Sequence, residues 1–249
     1  MGNVFNILRP FIQGVIRKVR KQPYPLDPDL PTSQLILIAF RRFAWSVRGI
    51  FRILLFQRRL TLVFMGPCVK IRCHSRVRLG FGVTLDQGVL VDGLSRDGVI
   101  IGDGVSIGRN SIIRCTGSLS ALGVGVTIGT GSGLDSFAFI GAAGGVEIGK
   151  NVIMGQHVSL HAENHKCEDL NQLIKDQGTT RLGIIIGDNC WVGSNVTFLD
   201  GCRVGSGCVI GAGSVVRGTI AENSIVVGIP ARVIRIRGQS ITQVEGGKS

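Results

Sequence analysis

The residues that could carry chemistry lie in one irregular stretch, between Leu160 and Ile184, where a regular apolar pattern is interrupted. This stretch contains His161 and His165 and follows His157 closely. A neutral imidazole near pH 7 is a natural base for removing a proton from a hydroxyl group. Because long insertions on regular scaffolds often carry function, the stretch is a candidate catalytic loop. The alternative reading is that His165 is a solvated loop residue.

The elements that must position this stretch follow from a repeat with a period of six. That period fits neither a helix, with a period near 3.6, nor the alternation of a flat strand. It predicts a β-helix, in which each six-residue unit forms one side of a triangular prism and points its large residue inward. The large residues are Ile186, Val192, Phe198, Val204, Ile210 and Val216, and small residues follow four positions later at Cys190, Val196, Cys202, Cys208 and Ser214.

Earlier residues continue the period, so the prism is predicted over about 66–220, with roughly eight coils of 18 residues. Short loops are expected at 93–98 and 114–121. The inward positions predicted here are Leu79, Leu85, Val91, Ile101, Ile107, Ile113, Leu122, Ile128, Leu134, Ile140, Ile148, Met154 and Leu160.

The seven cysteines do not predict a disulfide framework, because their number is odd and three of them lie on the repeat. We interpret Cys190, Cys202 and Cys208 as small buried corner residues. A reducing cytoplasm is then the expected compartment. No Cys or Ser stands next to a base, so a covalent acyl-enzyme is not indicated. The other cysteines show no CxxC spacing: Cys68, Cys73, Cys115 and Cys167.

Residues 1–64 carry most of the positive charge. They hold 11 of the 28 Lys and Arg residues and two acidic residues, a net charge of +9, against +3 for residues 65–249. Residues 34–64 predict an amphipathic helix with Arg41, Arg48, Arg52 and Arg59 along one line, too basic to span a membrane. Either the helix lies in the plane of an anionic membrane face, or it packs on the prism or a partner with its arginines in water. No nucleic-acid motif accompanies the charge.

Two motifs resemble a known family: IGDNCWVGSNVTFLDGCRVGSGCVIGAGSVV (186–216) and VVGIPARVIR (226–235). They are similar to the left-handed β-helix, hexapeptide-repeat acyltransferases, in particular the maltose, galactoside and nodulation O-acetyltransferases. The resemblance covers roughly residues 66–237 and implies a left-handed parallel β-helix, assembled as a homotrimer with sites between subunits. Together with the helix predicted above, the expected fold is an all-β, left-handed parallel β-helix with an N-terminal amphipathic helical segment. The expected organisation is an N-terminal segment (1–64), a β-helix domain (65–237) with a loop at 161–183, and a mobile tail (238–249).

The acceptor site implied by the resemblance lies in the loop. Its ENHKCEDL (163–170) resembles the polysaccharide O-acetyltransferases, which carry an Asn-His pair in such a loop. By this resemblance His165 is the general base and Asn164 shapes the acceptor site. His161, Glu163 and Asp169 are expected to contact the acceptor or to orient the imidazole.

The resemblance also implies acetyl-CoA as donor, lying along the outside of the prism between neighbouring subunits. The matching positions are Trp191, Gly193 and Ser194 for the thioester, Gly211 and Ala212 for the pantetheine arm, and Arg232 and Arg235 for the phosphates. Where the family often has Thr-Lys after GSVV, this chain has Arg217-Gly218, and Arg217 is expected to replace the lysine. Corner geometry alone would also explain Gly211 and Ala212.

A zinc site is the competing interpretation of the histidines, as in the β-helical carbonic anhydrases. His157, His161 and His165 are four residues apart, a spacing that aligns side chains only on an α-helix. Because the repeat predicts a strand and a loop there, no metal is expected.

These observations predict an acetyl-CoA-dependent O-acetyltransferase that acts on a sugar hydroxyl of a surface or capsular polysaccharide or its precursor. It is expected in the cytoplasm, peripheral at the inner membrane face if residues 1–64 bind lipid. The alternatives are an N-acetyltransferase for a nucleotide-linked amino sugar, a serine acetyltransferase, and a structural β-helix scaffold without activity.

Overall fold

The computed structural model describes residues 9–17, 25–56 and 61–239. Residues 9–17 are helical, and helix α1 spans Thr32–Phe56. Two short 3-10 turns span His74–Arg76 and Ile174–Asp176. Within the described residues, no helix is long and apolar enough to cross a membrane. Of the predicted mobile tail, residues 240–249 lie outside the described residues.

Short strands make up most of the remaining chain. In chain order they are β1 (Val63–Met65), β2 (Lys70–Arg72), β3 (Val77–Leu79), β4 (Val83–Leu85), β5 (Leu90–Asp92), β6 (Gly98–Ile101), β7 (Ser106–Ile107), β8 (Ile112–Arg114), β9 (Gly125–Ile128), β10 (Gly133–Leu134), β11 (Phe139–Gly141), β12 (Val146–Ile148), β13 (Ile153–Met154), β14 (Ser159–His161), β15 (Asn164–His165), β16 (Thr179–Thr180), β17 (Ile184–Ile186), β18 (Trp191–Val192), β19 (Thr197–Leu199), β20 (Arg203–Val204), β21 (Val209–Ile210), β22 (Val215–Val216), β23 (Thr219–Ile220), β24 (Ser224–Gly228) and β25 (Ala231–Ile236).

The strands form a three-sided column. Face A contains β1, β4, β7, β10, β13, β18, β21, β24 and β25; face B contains β2, β5, β8, β11, β14, β19 and β22; face C contains β3, β6, β9, β12, β17, β20 and β23. The chain passes from A to B to C in each coil, and neighbouring strands on a face are parallel, except that β25 is antiparallel to β24. The predicted left-handed parallel β-helix is confirmed.

The inward residues are those that the six-residue period predicts. The six large residues from Ile186 to Val216 are buried, and so are the small residues four positions after them. Leu122 is an exception, because it lies in a loop before β9 and is only half-buried. Its predicted core position was wrong; β9 instead turns Val126 and Ile128 inward.

Helix α1 packs against the end of the column that the first coil forms. Arg48 Nη1 donates to the carbonyl oxygen of Met65 at 2.9 Å, and Arg52 Nη1 donates to that of Val69 at 2.6 Å. A Cβ added at Gly49 would overlap the carbonyl oxygen of Val63, so the helix approaches β1 more closely than any side chain there would allow.

These arginines supply the hydrogen-bond donors that a preceding coil would otherwise provide. In the second coil, the carbonyls of Leu85 and Val89 accept N–H groups from the coil before. The equivalent carbonyls of the first coil have no preceding coil, and the guanidinium groups supply their donors. Both sequence interpretations were therefore wrong about the direction of Arg48 and Arg52, which face the column rather than water or lipid. Arg59 lies outside the described residues.

The cysteines on the repeat are buried, as predicted, and all seven are free thiols. Burial raises the pKa of the Cys190 thiol to about 11 and that of the Cys202 thiol to about 12, because removal from water disfavours the thiolate. Burial also raises the pKa of Cys208, and that of Cys115 to about 11. The buried thiols therefore stay protonated at neutral pH.

Thiol titration tests this packing. With Ellman's reagent at about pH 8, we expect three fast-reacting thiols in the folded protein, the exposed Cys68, Cys73 and Cys167, and all seven after unfolding in guanidinium chloride. The other four are shielded, and their raised pKa leaves almost no thiolate. A fourth fast thiol in the folded state would contradict the buried corner positions.

Candidate active site

The predicted catalytic loop leaves the column at the corner between faces B and C, where it connects β14 to β17. Its return end is fixed by the buried Asp200, whose carboxylate accepts the backbone N–H groups of Leu182 at 2.9 Å and Gly183 at 2.8 Å. Arg203 completes the anchor by donating to the carbonyl oxygens of the same two residues, each at 2.8 Å. The loop base is therefore held on the column by charged groups.

An ion pair fixes the loop from its other side. Arg181 Nε lies 2.6 Å from Glu163 Oε2, with both side chains about three-quarters buried. Arg181 Nη1 also donates to the carbonyl of Ala121 at 3.2 Å, in the loop before β9. Glu163, predicted to contact the acceptor, thus pairs with Arg181 and ties together two loops at the same corner. Its acceptor contact stays a prediction.

Residues near the two ends of the loop form a two-stranded antiparallel hairpin that presents His165. Strand β15 pairs with β16, with Asn164 opposite Thr180 and His165 opposite Thr179. Both β15 residues are exposed, and within the described ranges the His165 ring has no hydrogen bond. An imidazole without a hydrogen-bond partner can accept a proton from a hydroxyl that comes within reach, and it equally fits a solvated loop residue, so the role of His165 stays a prediction.

Asp169 lies further along the loop and shapes a turn. Its carboxylate accepts the backbone N–H of Asn171 at 2.9 Å, and its backbone bonds the side chain of Gln177 in both directions. Asp169 therefore organises the part of the loop beyond the hairpin.

The other two histidines lie on different elements. His161 ends β14, and its ring lies 5.4 Å from that of Phe139. His157 occupies the corner between faces A and B with a φ of 57°, and its ring stacks on Phe137 at 4.9 Å. Among the described residues, no group of three or more His, Cys, Asp or Glu side chains is arranged to hold a metal ion.

The residues predicted for the thioester and the pantetheine arm line up along the corner between faces A and B. Trp191 lies on β18 with 60% of its surface exposed. Gly193 and Ser194 follow directly at the corner, and Gly211 and Ala212 occupy the same corner one coil on. A Cβ at Gly193 would lie 2.6 Å from the backbone nitrogen of Ala212, so this corner requires a glycine.

The predicted phosphate contacts divide between two places. Arg232 and Arg235 lie exposed on β25, at the edge of face A. On face A, β25 lies three strands beyond β18, which is a distance of about 14 Å at the usual strand spacing. Arg217 is exposed after β22, at the corner between faces B and C. Within one protomer Arg217 therefore lies apart from the other predicted donor residues, at the corner from which the loop also leaves.

Within one protomer, the predicted base and donor surface lie at different corners. The hairpin of His165 leaves the B–C corner, whereas Ser194 and Ala212 lie at the A–B corner. A single column therefore does not bring His165 and the predicted donor surface together.

Sequence reasoning missed the residues that anchor the loop: Asp200, Arg203 and Arg181. The available signal was Asp200 itself, an acidic residue in the coil that follows the insertion. A buried carboxylate requires hydrogen-bond donors, and the adjoining insertion provides them.

The fold is a left-handed parallel β-helix. Residues 183–218 match the family described as bacterial transferase hexapeptide (six repeats). The predicted resemblance to the hexapeptide-repeat transferases is confirmed over this stretch.

Three relatives carry names that describe acetyl transfer. The probable acetyltransferase Rv3034c of Mycobacterium tuberculosis is 35% identical over 55% of this chain and 44% of that protein. The putative lipopolysaccharide biosynthesis O-acetyl transferase WbbJ of Escherichia coli is 28% identical over 71% and 83%. The galactoside O-acetyltransferase of Escherichia coli is 39% identical over 36% and 43%. The chain thus spans less than half the length of two of these proteins.

Among solved structures, a mutant of AntD, an N-acyltransferase from Bacillus cereus in complex with dTDP-4-amino-4,6-dideoxyglucose and coenzyme A, aligns with a TM-score of 0.48. The aligned regions are 16% identical and cover 72% of this chain and 82% of that chain.

The loop anchor can be tested with Asp200→Asn. The amide removes the negative charge and puts an NH2 group where Asp200 Oδ2 accepts the Leu182 N–H at 3.0 Å. This costs about 1.5–3 kcal/mol of local stability, or about 10–100-fold in the population of the opened loop. We expect trypsin to cut the variant at Lys166 or Lys175 faster by that factor while the column stays folded. Glu147→Gln, at an exposed carboxylate on β12, is the matched control. Equal cleavage of all three proteins would show that Asp200 does not hold the loop.

Proposed function

We propose that this protein is an acetyl-CoA-dependent O-acetyltransferase that modifies a sugar hydroxyl of a surface or capsular polysaccharide or its precursor. The observation that carries the proposal is the anchored hairpin, which presents His165 with a free imidazole ring. The names of the WbbJ and galactoside relatives support O-acetyl transfer, and the sugar acceptor rests on them and on the sequence resemblance.

Transfer is direct in this proposal. His165 removes the proton from the sugar hydroxyl as its oxygen attacks the thioester carbonyl. The C–S bond then breaks, the acetyl group stays on the sugar oxygen, and the thiolate leaves and takes up a proton. A backbone N–H near Ser194 stabilises the oxyanion. The thiols of Cys190, Cys202 and Cys208 are buried with raised pKa values and are unsuited to a covalent intermediate.

The donor surface fits acetyl-CoA in its chemistry. The glycine corner lets a ligand approach the backbone near Trp191, and the exposed guanidinium groups of Arg232 and Arg235 suit phosphates. Because His165 lies at another corner of its own protomer, the complete site combines the hairpin of one protomer with the donor surface of a neighbour. A homotrimer, with three equivalent interfaces, provides this arrangement.

His165→Ala tests the base. Loss of a general base lowers kcat by about 10²–10⁴-fold, while the KM for acetyl-CoA should change little. The measurement is release of the CoA thiol with a panel of polysaccharides and nucleotide sugars. Lys166→Ala, next in the same hairpin, should keep wild-type turnover. Normal turnover by His165→Ala would remove the assignment, and no thiol release by the wild type with any acceptor would contradict the function.

Mixed assemblies test the shared site. His165→Ala and the double variant Arg232→Ala/Arg235→Ala are co-expressed with different tags and assayed at low acetyl-CoA. If the base and the arginines of one site come from different protomers, random mixing leaves about one quarter of the sites intact, so activity should rise well above that of either parent. Activity no higher than the parents' would show that both halves of a site come from one chain.

A further inference from the structure

The side of α1 that faces away from the column is apolar, and none of the residues that the structure describes covers it. Counted at 100° per residue, it spans about 140° of the helix, and the four arginines of α1 all lie outside this arc. Phe40, Phe43 and Phe51 are 69%, 65% and 67% exposed. The full set is Ile36, Leu37, Phe40, Phe43, Val47, Ile50, Phe51 and Leu54, all exposed, and we call it the outer face of α1. Apolar patches of this kind mark interaction surfaces.

Positive charge borders the outer face. Phe51 also lines a groove between α1 and the first coil, together with Arg52, Lys70, Arg72 and His74. Lys70, Arg72 and His74 are exposed, and Arg72 lies 3.8 Å from the carboxylate of Asp92. In the sequence, Lys18, Arg20, Lys21, Arg58 and Arg59 flank the helix, and α1 itself contains no acidic residue.

We propose that the outer face of α1 inserts into the interface of an anionic lipid bilayer, with the helix in the plane of the membrane and the first coil nearest to it. The apolar side chains enter the boundary between head groups and acyl chains, and the bordering cations meet the anionic head groups. Arg48 and Arg52 hold α1 on the first coil and leave the outer face free for lipid.

Charge favours lipid over a second copy of the chain as the occupant. Residues 1–64 carry a net charge of +9, so two copies packed through this face would repel each other. Helix pairs usually compensate with acidic partners beside the apolar seam, and α1 has none. The outer face is also wider than the narrow seam of a coiled coil. An anionic membrane surface matches both the positive charge around the outer face and the width of that face.

Vesicle flotation of the full chain tests this proposal. We expect the wild type to float with phosphatidylcholine vesicles that contain about one quarter phosphatidylglycerol, and to bind less at high salt. Phe43→Asp places a carboxylate on the outer face and should lower the bound fraction at least tenfold. Leu119→Asp changes a side chain that is 87% exposed in the loop before β9 and should bind like the wild type.

The remaining outcomes are also decisive. Lys70→Ala/Arg72→Ala should weaken binding to the anionic vesicles and leave any binding to pure phosphatidylcholine unchanged. Should Phe43→Asp lose its circular dichroism signal, Phe51→Ser takes its place with the same expectation. The proposal is overturned if the wild type does not float, or if a folded outer-face variant floats as well as the wild type. It is equally overturned if light scattering shows that these variants break an oligomer while the wild type ignores vesicles.

Discussion

Hydrogen bonding between successive coils is the constraint on which the structure depends. Each coil donates N–H groups to the next, as Gly66 does to Leu85 and Asp86 does to Ile107, so the first coil necessarily leaves carbonyls without donors. Unpaired buried carbonyls are costly. Arg48 and Arg52 satisfy two of them, which commits one side of α1 to the column. The opposite side, with its phenylalanines, must then face outward. The outward direction of this apolar side therefore follows from the way α1 covers the end of the column.

The column itself could be predicted from the sequence because its rule is local. A six-residue unit places one large side chain inward wherever it occurs, so Ile186, Phe198 and Ile210 needed no knowledge of their neighbours. The rule failed at Leu122 because an insertion breaks the phase and apolar loop residues can match it by chance. It also gave no direction for α1, since a helical wheel fixes the angles between arginines but not what they face. That depends on the carbonyl groups of Met65 and Val69, each 17 residues further along the chain.

Coil arithmetic explains where the predicted donor residues lie within one protomer. Residues 18 apart share a corner, so Gly193 and Gly211 lie at the same corner, one coil apart. Arg217 is only six residues beyond Gly211, which is one side of the prism, and it therefore lies at the next corner. The spacing contained this information, although a comparison of motifs did not use it. Asp200 and Arg203 escaped notice for another reason. Their partners are backbone groups of a loop, so the acidic residue in the coil was visible in the sequence but the groups that it binds were not.

The loop that carries His165 and the surface around Trp191 lie at different corners of the column but leave it at nearly the same height along its axis. The hairpin of His165 leaves the coil of β14, and Trp191 and Ser194 belong to the next coil, one strand spacing away, or about 4.8 Å. Rotation about an axis parallel to the column preserves height, so in the proposed trimer the base of a neighbour's loop would lie near the level of Trp191 and not near that of Arg232. The stiff column would then set the height at which the loop leaves, and symmetry would bring the two corners together. Asp200 and Arg181 hold the base of the loop at that height.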